Sequence, residues 1–220
     1  MSKDMLGPVT RALVGVPQDR LAIIADIGNR LAVANGDDFH SNLTDFLRNG
    51  SSAKPAPLPT PTLTVWREVT AYPVESPEAM TVAQLTDAGF HVNDWAKDIM
   101  GKPSFKTLTE PKKFKLARCK VRDLGFKKQP TTDEIWARIQ EVGGELCPPE
   151  LGLALRKDFA DQPVGDYFWL AMKQITDSYG DPRVFGVGRR RGGGRWLDGG
   201  YAFPGRRWGL DGEVVFVLRQ

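Results

Sequence analysis

The segment covering residues 188–212, GRRRGGGRWLDGGYAFPGRRWGLDG, constrains this chain more than any other. Of its 25 residues, 15 are Gly or Arg, and Trp196, Tyr201, Phe203 and Trp208 are set among them. Apolar, strand-like runs bracket it, at 183–187 before and at 213–219 after. A disordered tail is poor in aromatics and is not pinned at both ends by strands. The pattern therefore predicts a long irregular surface over 188–212, held on a sheet. Arg forks and aromatic faces dominate binding hot spots, so the segment reads as a recognition surface.

The charge is local. Net charge over all 220 residues is only +3, whereas 188–212 holds six Arg against two Asp. A single basic patch follows from this, not general nucleic-acid affinity. Cys119 and Cys147 fit neither a zinc cluster nor a disulfide framework. No apolar run has the length of a membrane span. Gly7, Pro8, Thr10 and Arg11 interrupt anything resembling a secretory core after residue 1. A cytoplasmic location is the expectation, with surface display by another route left open.

Four zones follow along the chain. Residues 1–48 read as helical: Leu21, Ile24, Ile27 and Leu31 recur at helical spacing, and Phe39, Leu43, Phe46 and Leu47 repeat the theme after a turn at 36–38. These helices suggest docking or a homo-oligomer. A proline-rich linker spans 49–62. Residues 63–111 carry a strand at 64–69, a helix from Ser76 and Pro77 to Gly89, and a short helix at 94–100; they either elaborate the last zone or pack against it. The last zone, 112–220, opens with a half-buried strand at 114–122. A helix capped at Thr131 and Thr132 runs to Gly143, and a second starts at 148–150. A buried strand at 167–172 comes next, ahead of the strands that flank the Gly- and Arg-rich segment. The fold class expected is α+β.

This order of strand, helix, GGELCPPE, second helix, buried strands, long loop and closing strand resembles the C-type lectin fold over 112–220. The sugar-binding lectins' Glu-Pro-Asn or Gln-Pro-Asp calcium motif and Trp-Asn-Asp motif are missing, and Asp177, Asp181, Asp198 and Asp211 are scattered among turns. The lectins' usual disulfides are missing too. Formylglycine-generating enzymes share the fold but need a late cysteine pair, and no cysteine follows Cys147. Within the fold, the chain resembles the variable proteins of diversity-generating retroelements. In those systems template adenines are randomised, and AAC codons become Gly, Arg, Asp, Tyr or Leu codons. The resemblance implies that Arg189, Arg190, Arg191, Arg195, Asp198, Tyr201, Arg206, Arg207, Leu210 and Asp211 are diversified positions. Trp196, Phe203, Pro204 and Trp208 would be fixed scaffold between them, with Trp196 and Trp208 adding to the ligand-binding face. The partner implied is an unidentified protein or small ligand, with no cofactor and no metal.

Catalytic readings find little support. The only histidines, His40 and His91, have no Ser or Cys partner suggested by spacing. Cys119 and Cys147 read as small buried residues. Glu110, Glu134, Glu141, Glu145 and Glu150 form no defensible carboxylate pair. Gly192, Gly193 and Gly194 lack the Gly-Lys-Ser/Thr and helix of a phosphate-binding loop. A non-enzymatic protein is expected. The alternative is nucleic-acid binding, because the Arg-Gly-Gly-Gly-Arg run is similar to RGG-type RNA-binding segments.

Overall fold

The computed structural model describes residues 18–31, 40, 41, 43, 44, 47 and 58–219. Two compact units divide the chain, 1–57 and 58–220. In the first, helix α1 spans Gln18–Leu31. Most of the second expected helix, the turn at 36–38 and the linker as far as residue 57 lie outside the described residues. The end of that linker is tied down within the second unit: the Arg138 guanidinium donates to the carbonyls of Leu58 (3.1 Å) and Pro59 (2.6 Å).

The second unit is α+β, with helices on one large, curled, mixed sheet. Its strands are β1 (Arg67–Ala71), β2 (His91–Val92), β3 (Lys112–Lys120), β4 (Gly144–Glu145), β5 (Tyr167–Leu170), β6 (Ile175–Thr176), β7 (Pro182–Arg189), β8 (Arg195–Tyr201) and β9 (Glu213–Leu218). Its helices are α2 (Val82–Asp87), α3 (Asp94–Met100), α4 (Thr132–Glu141) and α5 (Leu151–Asp158). The main strand order is β1-β3-β9-β5-β7-β8-β2, with β4 beside β9 and β6 beside β7. Because β1 pairs with β3 and β2 with β8, residues 63–111 contribute strands to the same sheet as 112–220.

Local chemistry sets the helix starts. Thr131 caps α4 in a capping box with Glu134, and Thr81 caps α2 in the same way with Gln84. Ser76 and Pro77 do not begin α2, contrary to the sequence expectation. The Ser76 hydroxyl is bonded to Glu78 in a turn, and the helix waits for Thr81. Thr131→Ala is expected to cost about 1 kcal/mol, read from the urea unfolding midpoint.

Strand alternation sorts the sheet into two faces. Val69, Phe114, Leu116, Val215, Val217, Phe168, Leu170, Phe185, Val187 and Leu197 share one face and are buried. Helix α5 packs closely against that face because Gly152 leaves room for the Phe185 ring, 2.8 Å from where a Cβ would sit. The other face carries Ala117, Val214, Phe216, Tyr167, Trp169, Trp196 and Asp198. Over β9 it is covered from α4: Ile139 and Phe216 meet above Gly144, at 2.8 and 2.6 Å from its missing Cβ.

Candidate functional site

Nine of the 25 residues of the Gly- and Arg-rich segment lie in strands, not in a loop. Residues 195–201 form β8, paired along its length with β7 from Arg183↔Tyr201 to Arg189↔Arg195. The glycines hid this strand from a propensity reading, because glycine weakens strands in general. Their reason is steric. Trp169 lies across Gly186 and Gly200, and Trp196 lies across Gly188, so that a Cβ at any of the three would run into an indole ring. Three adjacent positions without side chains thus let two indoles lie flat on β7 and β8.

An aromatic floor results. Trp169 and Trp196 remain half-buried and Tyr167 is 50% exposed. Tyr167 and Trp196 sit 6.5 Å apart at 33°. Trp169 meets Trp208 edge-on at 5.9 Å, and Trp208 meets Trp136 at 6.2 Å. Trp208 is only 5% exposed and donates its indole N–H to Thr132 Oγ1 at 2.8 Å. It therefore braces the floor from behind and offers little surface to a partner. Asp198 stands on the same face, bonded by the amide of Asn93, whose Oδ1 also caps α3 through the Ala96 N–H at 2.8 Å.

The other expected site residues fall into separate groups. Arg190 and Arg191 are exposed at the tip of the hairpin, where Gly193 has a φ of +92°. Arg189 is half-buried and donates to the Gln162 carbonyl at 2.8 Å. Arg195 pairs with it across the strands, on the helix-covered face. Tyr201 is 43% exposed at the far end of β8, on the face opposite the indoles, stacked 4.0 Å from the Arg183 guanidinium. In the 202–212 loop, Arg206 lies 5.1 Å from the Trp208 ring and exposed Arg207 donates to the Gln129 carbonyl. Leu210 packs partly on the core, and Asp211 pairs with Arg122 at 2.5 Å. The structure thus distributes the twelve residues over an aromatic face, an arginine-rich hairpin end and a loop edge, with Tyr201 apart at the other end of β8.

Sequence reasoning missed Tyr167 and Trp169. They belong to a run that reads as buried, and only their placement opposite glycines leaves them accessible. It also missed Arg183, which is 1% exposed and sandwiched between Trp95 (3.8 Å) and Tyr201.

A cleft of about 680 Å3 lies elsewhere, among β1, α2, α3 and α5, with Val74, Met80, Met100, Phe105 and Leu153 in its lining. Its charged groups are largely spoken for. Glu68 pairs with Lys113, Asp158 with Arg67 and Lys97 with Asp94, while Glu150 accepts from Thr107 Oγ1 and the Leu108 N–H. Burial pushes the Cys119 thiol up to about 12, helped by Asp123 and Glu213, and drives Cys147 higher still. Neither is a ready thiolate. Among the described residues no group of three or more His, Cys, Asp or Glu side chains is arranged to hold a metal ion, and no helix is long and apolar enough to cross a membrane.

Comparison with family models, curated proteins and solved structures yields no match for this chain.

Proposed function

We propose that this is a non-enzymatic recognition protein whose contact surface is the aromatic face of β5, β7 and β8, extended by the 202–212 loop. The observation that carries the reading is the floor itself: Trp169 and Trp196 lie flat over Gly186, Gly188 and Gly200, packed against backbone yet half-exposed, with Tyr167 beside them. Large apolar side chains kept accessible on a sheet are costly unless a partner covers them. Rings already packed on the sheet have less freedom to lose on binding. In the adjoining 202–212 loop Arg207 and Asp211 are exposed, and substitution there disturbs few core contacts.

The scaffold reading is C-type lectin-like. Two consecutive helices, α4 and α5, precede the strands that bear the surface, and closing strand β9 returns to the middle of the sheet between β3 and β5. On this reading the exposed positions are those that a diversity-generating retroelement varies, while Trp196, Trp208 and the glycines beneath the indoles stay fixed. Sequencing the flanking DNA tests the diversification. Near-copies of the 3′ end differing at adenines beside a reverse transcriptase are expected, and a flank lacking both would refute it.

Panning a peptide-display library tests the surface. Binders should be lost from Tyr167→Ser, an exposed change that leaves the indoles in place, and weakened about tenfold or more by Trp196→Ala. Binders retained by both variants would place recognition elsewhere.

A further inference from the structure

Guanidinium groups crowd one end of the β7–β8 hairpin, on the side away from the aromatic floor. Arg189 and Arg195 are directly opposed across the strands, an arrangement of like charges that costs stability unless something offsets it. Helix α5 brings a third. The Arg156 side chain is fully buried, and it donates to the carbonyls of Gly188 (3.0 Å) and Trp196 (3.4 Å), the residues adjoining that pair. It also donates to Gln162 Oε1 and the Phe159 carbonyl, both at 2.6 Å, while its Nε has no acceptor. Arg190 and Arg191 follow at the tip.

No carboxylate answers this charge. Asp166 is the acid that acts on Arg156, but its own oxygens are held by Arg118 and by Gln162 Nε2. Among the described residues, none of Arg156, Arg189, Arg190, Arg191 and Arg195 forms an ion pair. Arg195 makes no hydrogen bond at all through its guanidinium, although its Nε is buried. Burial, with Arg195 and Arg189 nearby, pushes Arg156 down to about 10. A buried donor without a partner calls for an explanation, and where several like charges meet a bound anion is one that also offsets their repulsion.

We propose that this hairpin end binds a phosphate-class oxyanion, gripped by Arg195 and by the terminal nitrogen of Arg189 not used on the Gln162 and Gly193 carbonyls, with exposed Arg190 and Arg191 at the rim and buried Arg156 adding its charge from beneath. Tetrahedral dianions accept from several forks at once, and guanidinium pairs suit them better than lysines do. These arginines meet at one hairpin end and do not run along the sheet, which fits one discrete phosphoryl group better than a nucleic-acid backbone. The stacking surface points the same way. Tyr167, Trp169 and the Trp196 side chain occupy the opposite face of the sheet, so bases could not stack there while their phosphates sat among these arginines. The inference rests on reading 188–212 as a recognition segment.

Titration of the whole chain with inorganic phosphate and with pyrophosphate, at constant ionic strength, tests it by calorimetry and thermal melting. Saturable binding is expected, with a melting temperature raised by several degrees once ligand stands at about 100 times Kd. Arg195→Gln should weaken binding about tenfold or more. Lys128→Gln, an equal charge change on an exposed residue elsewhere, should not. Without ligand, Arg195→Gln should melt no lower than the parent, because Arg195 holds nothing together. Absence of saturable binding, affinity untouched by Arg195→Gln, or a less stable Arg195→Gln would overturn the site. So would binding confined to a single-stranded oligonucleotide with steep salt dependence. A silent phosphate titration beside display binders that Tyr167→Ser abolishes would remove the anion site alone. Display binders retained by Tyr167→Ser would remove the recognition face.

Discussion

Asp177→Ala is expected to cost about 3–5 kcal/mol, the loss found when one partner of a buried ion pair is removed. For a unit of this size that is a fall in melting temperature on the order of 10 °C. Arg183 has no route to solvent: its side chain lies between the Trp95 and Tyr201 rings, and its Nε is bonded to Asp177 Oδ2 at 2.5 Å. One terminal nitrogen donates to the Gly199 carbonyl at 2.9 Å, and the other is buried without an acceptor. Asp177 works twice, because its Oδ1 accepts from the Tyr179 and Asp181 amides and so shapes the turn that feeds β7. Replacing both residues, as in Asp177→Leu with Arg183→Met, should recover part of the loss and expose coupling in a double-mutant cycle. A single-variant loss below about 1 kcal/mol would mean that the aromatic sandwich alone supports the cation.

Acid should act through the same pair. Burial works to raise the Asp177 carboxyl, but the Arg183 guanidinium and the two amides more than reverse this, leaving it below the usual range. A depressed carboxyl stabilises the fold at pH values above its unfolded value, about 3.9, and the contribution disappears as pH falls through the folded value beneath. Asp177→Asn should therefore flatten the acid limb of a stability-against-pH curve.

Short-range chemistry was legible in the sequence. The Thr131 and Glu134 capping box, the Asn93 start of α3 and the closing strand at 213–218 are each encoded within a few residues. What the sequence hid depends on distant partners. Strand β8 looks like loop because its glycines matter only opposite Trp169, which belongs to another strand, and Trp196. Arg183 looks like a surface arginine until Trp95 and Tyr201 arrive from elsewhere in the chain. The site was half legible for the same reason. Arginine density marked the hairpin, but the division into an aromatic face and an arginine end follows from pairing register, which composition does not carry.

An alanine scan through the glycines of 188–212 should split the segment in two. Gly200→Ala and Gly188→Ala are expected to cost about 3 kcal/mol each, at the upper end for overpacking, since the new methyl meets the rigid ring of Trp169 or Trp196. Gly199→Ala should behave similarly, because backbone atoms of Trp95 and Ala96 stand 2.8 and 2.9 Å from the added carbon. At Gly192, Gly194, Gly205 and Gly209 nothing lies within 4 Å, so alanine there should change stability by no more than about 0.5 kcal/mol. Urea midpoints read the stabilities, and quenching of indole fluorescence reads whether the rings have left the sheet. Uniformly small effects would mean that the indoles do not need a bare floor, and the recognition face would lose its rigidity argument. The split also bears on diversification. A process that scatters glycine codons can change the open positions without loss, whereas any residue but glycine at 188, 199 or 200 lifts a ring or a helix from the sheet. If the segment is diversified as proposed, variant copies should differ among the open glycines and arginines while keeping those three.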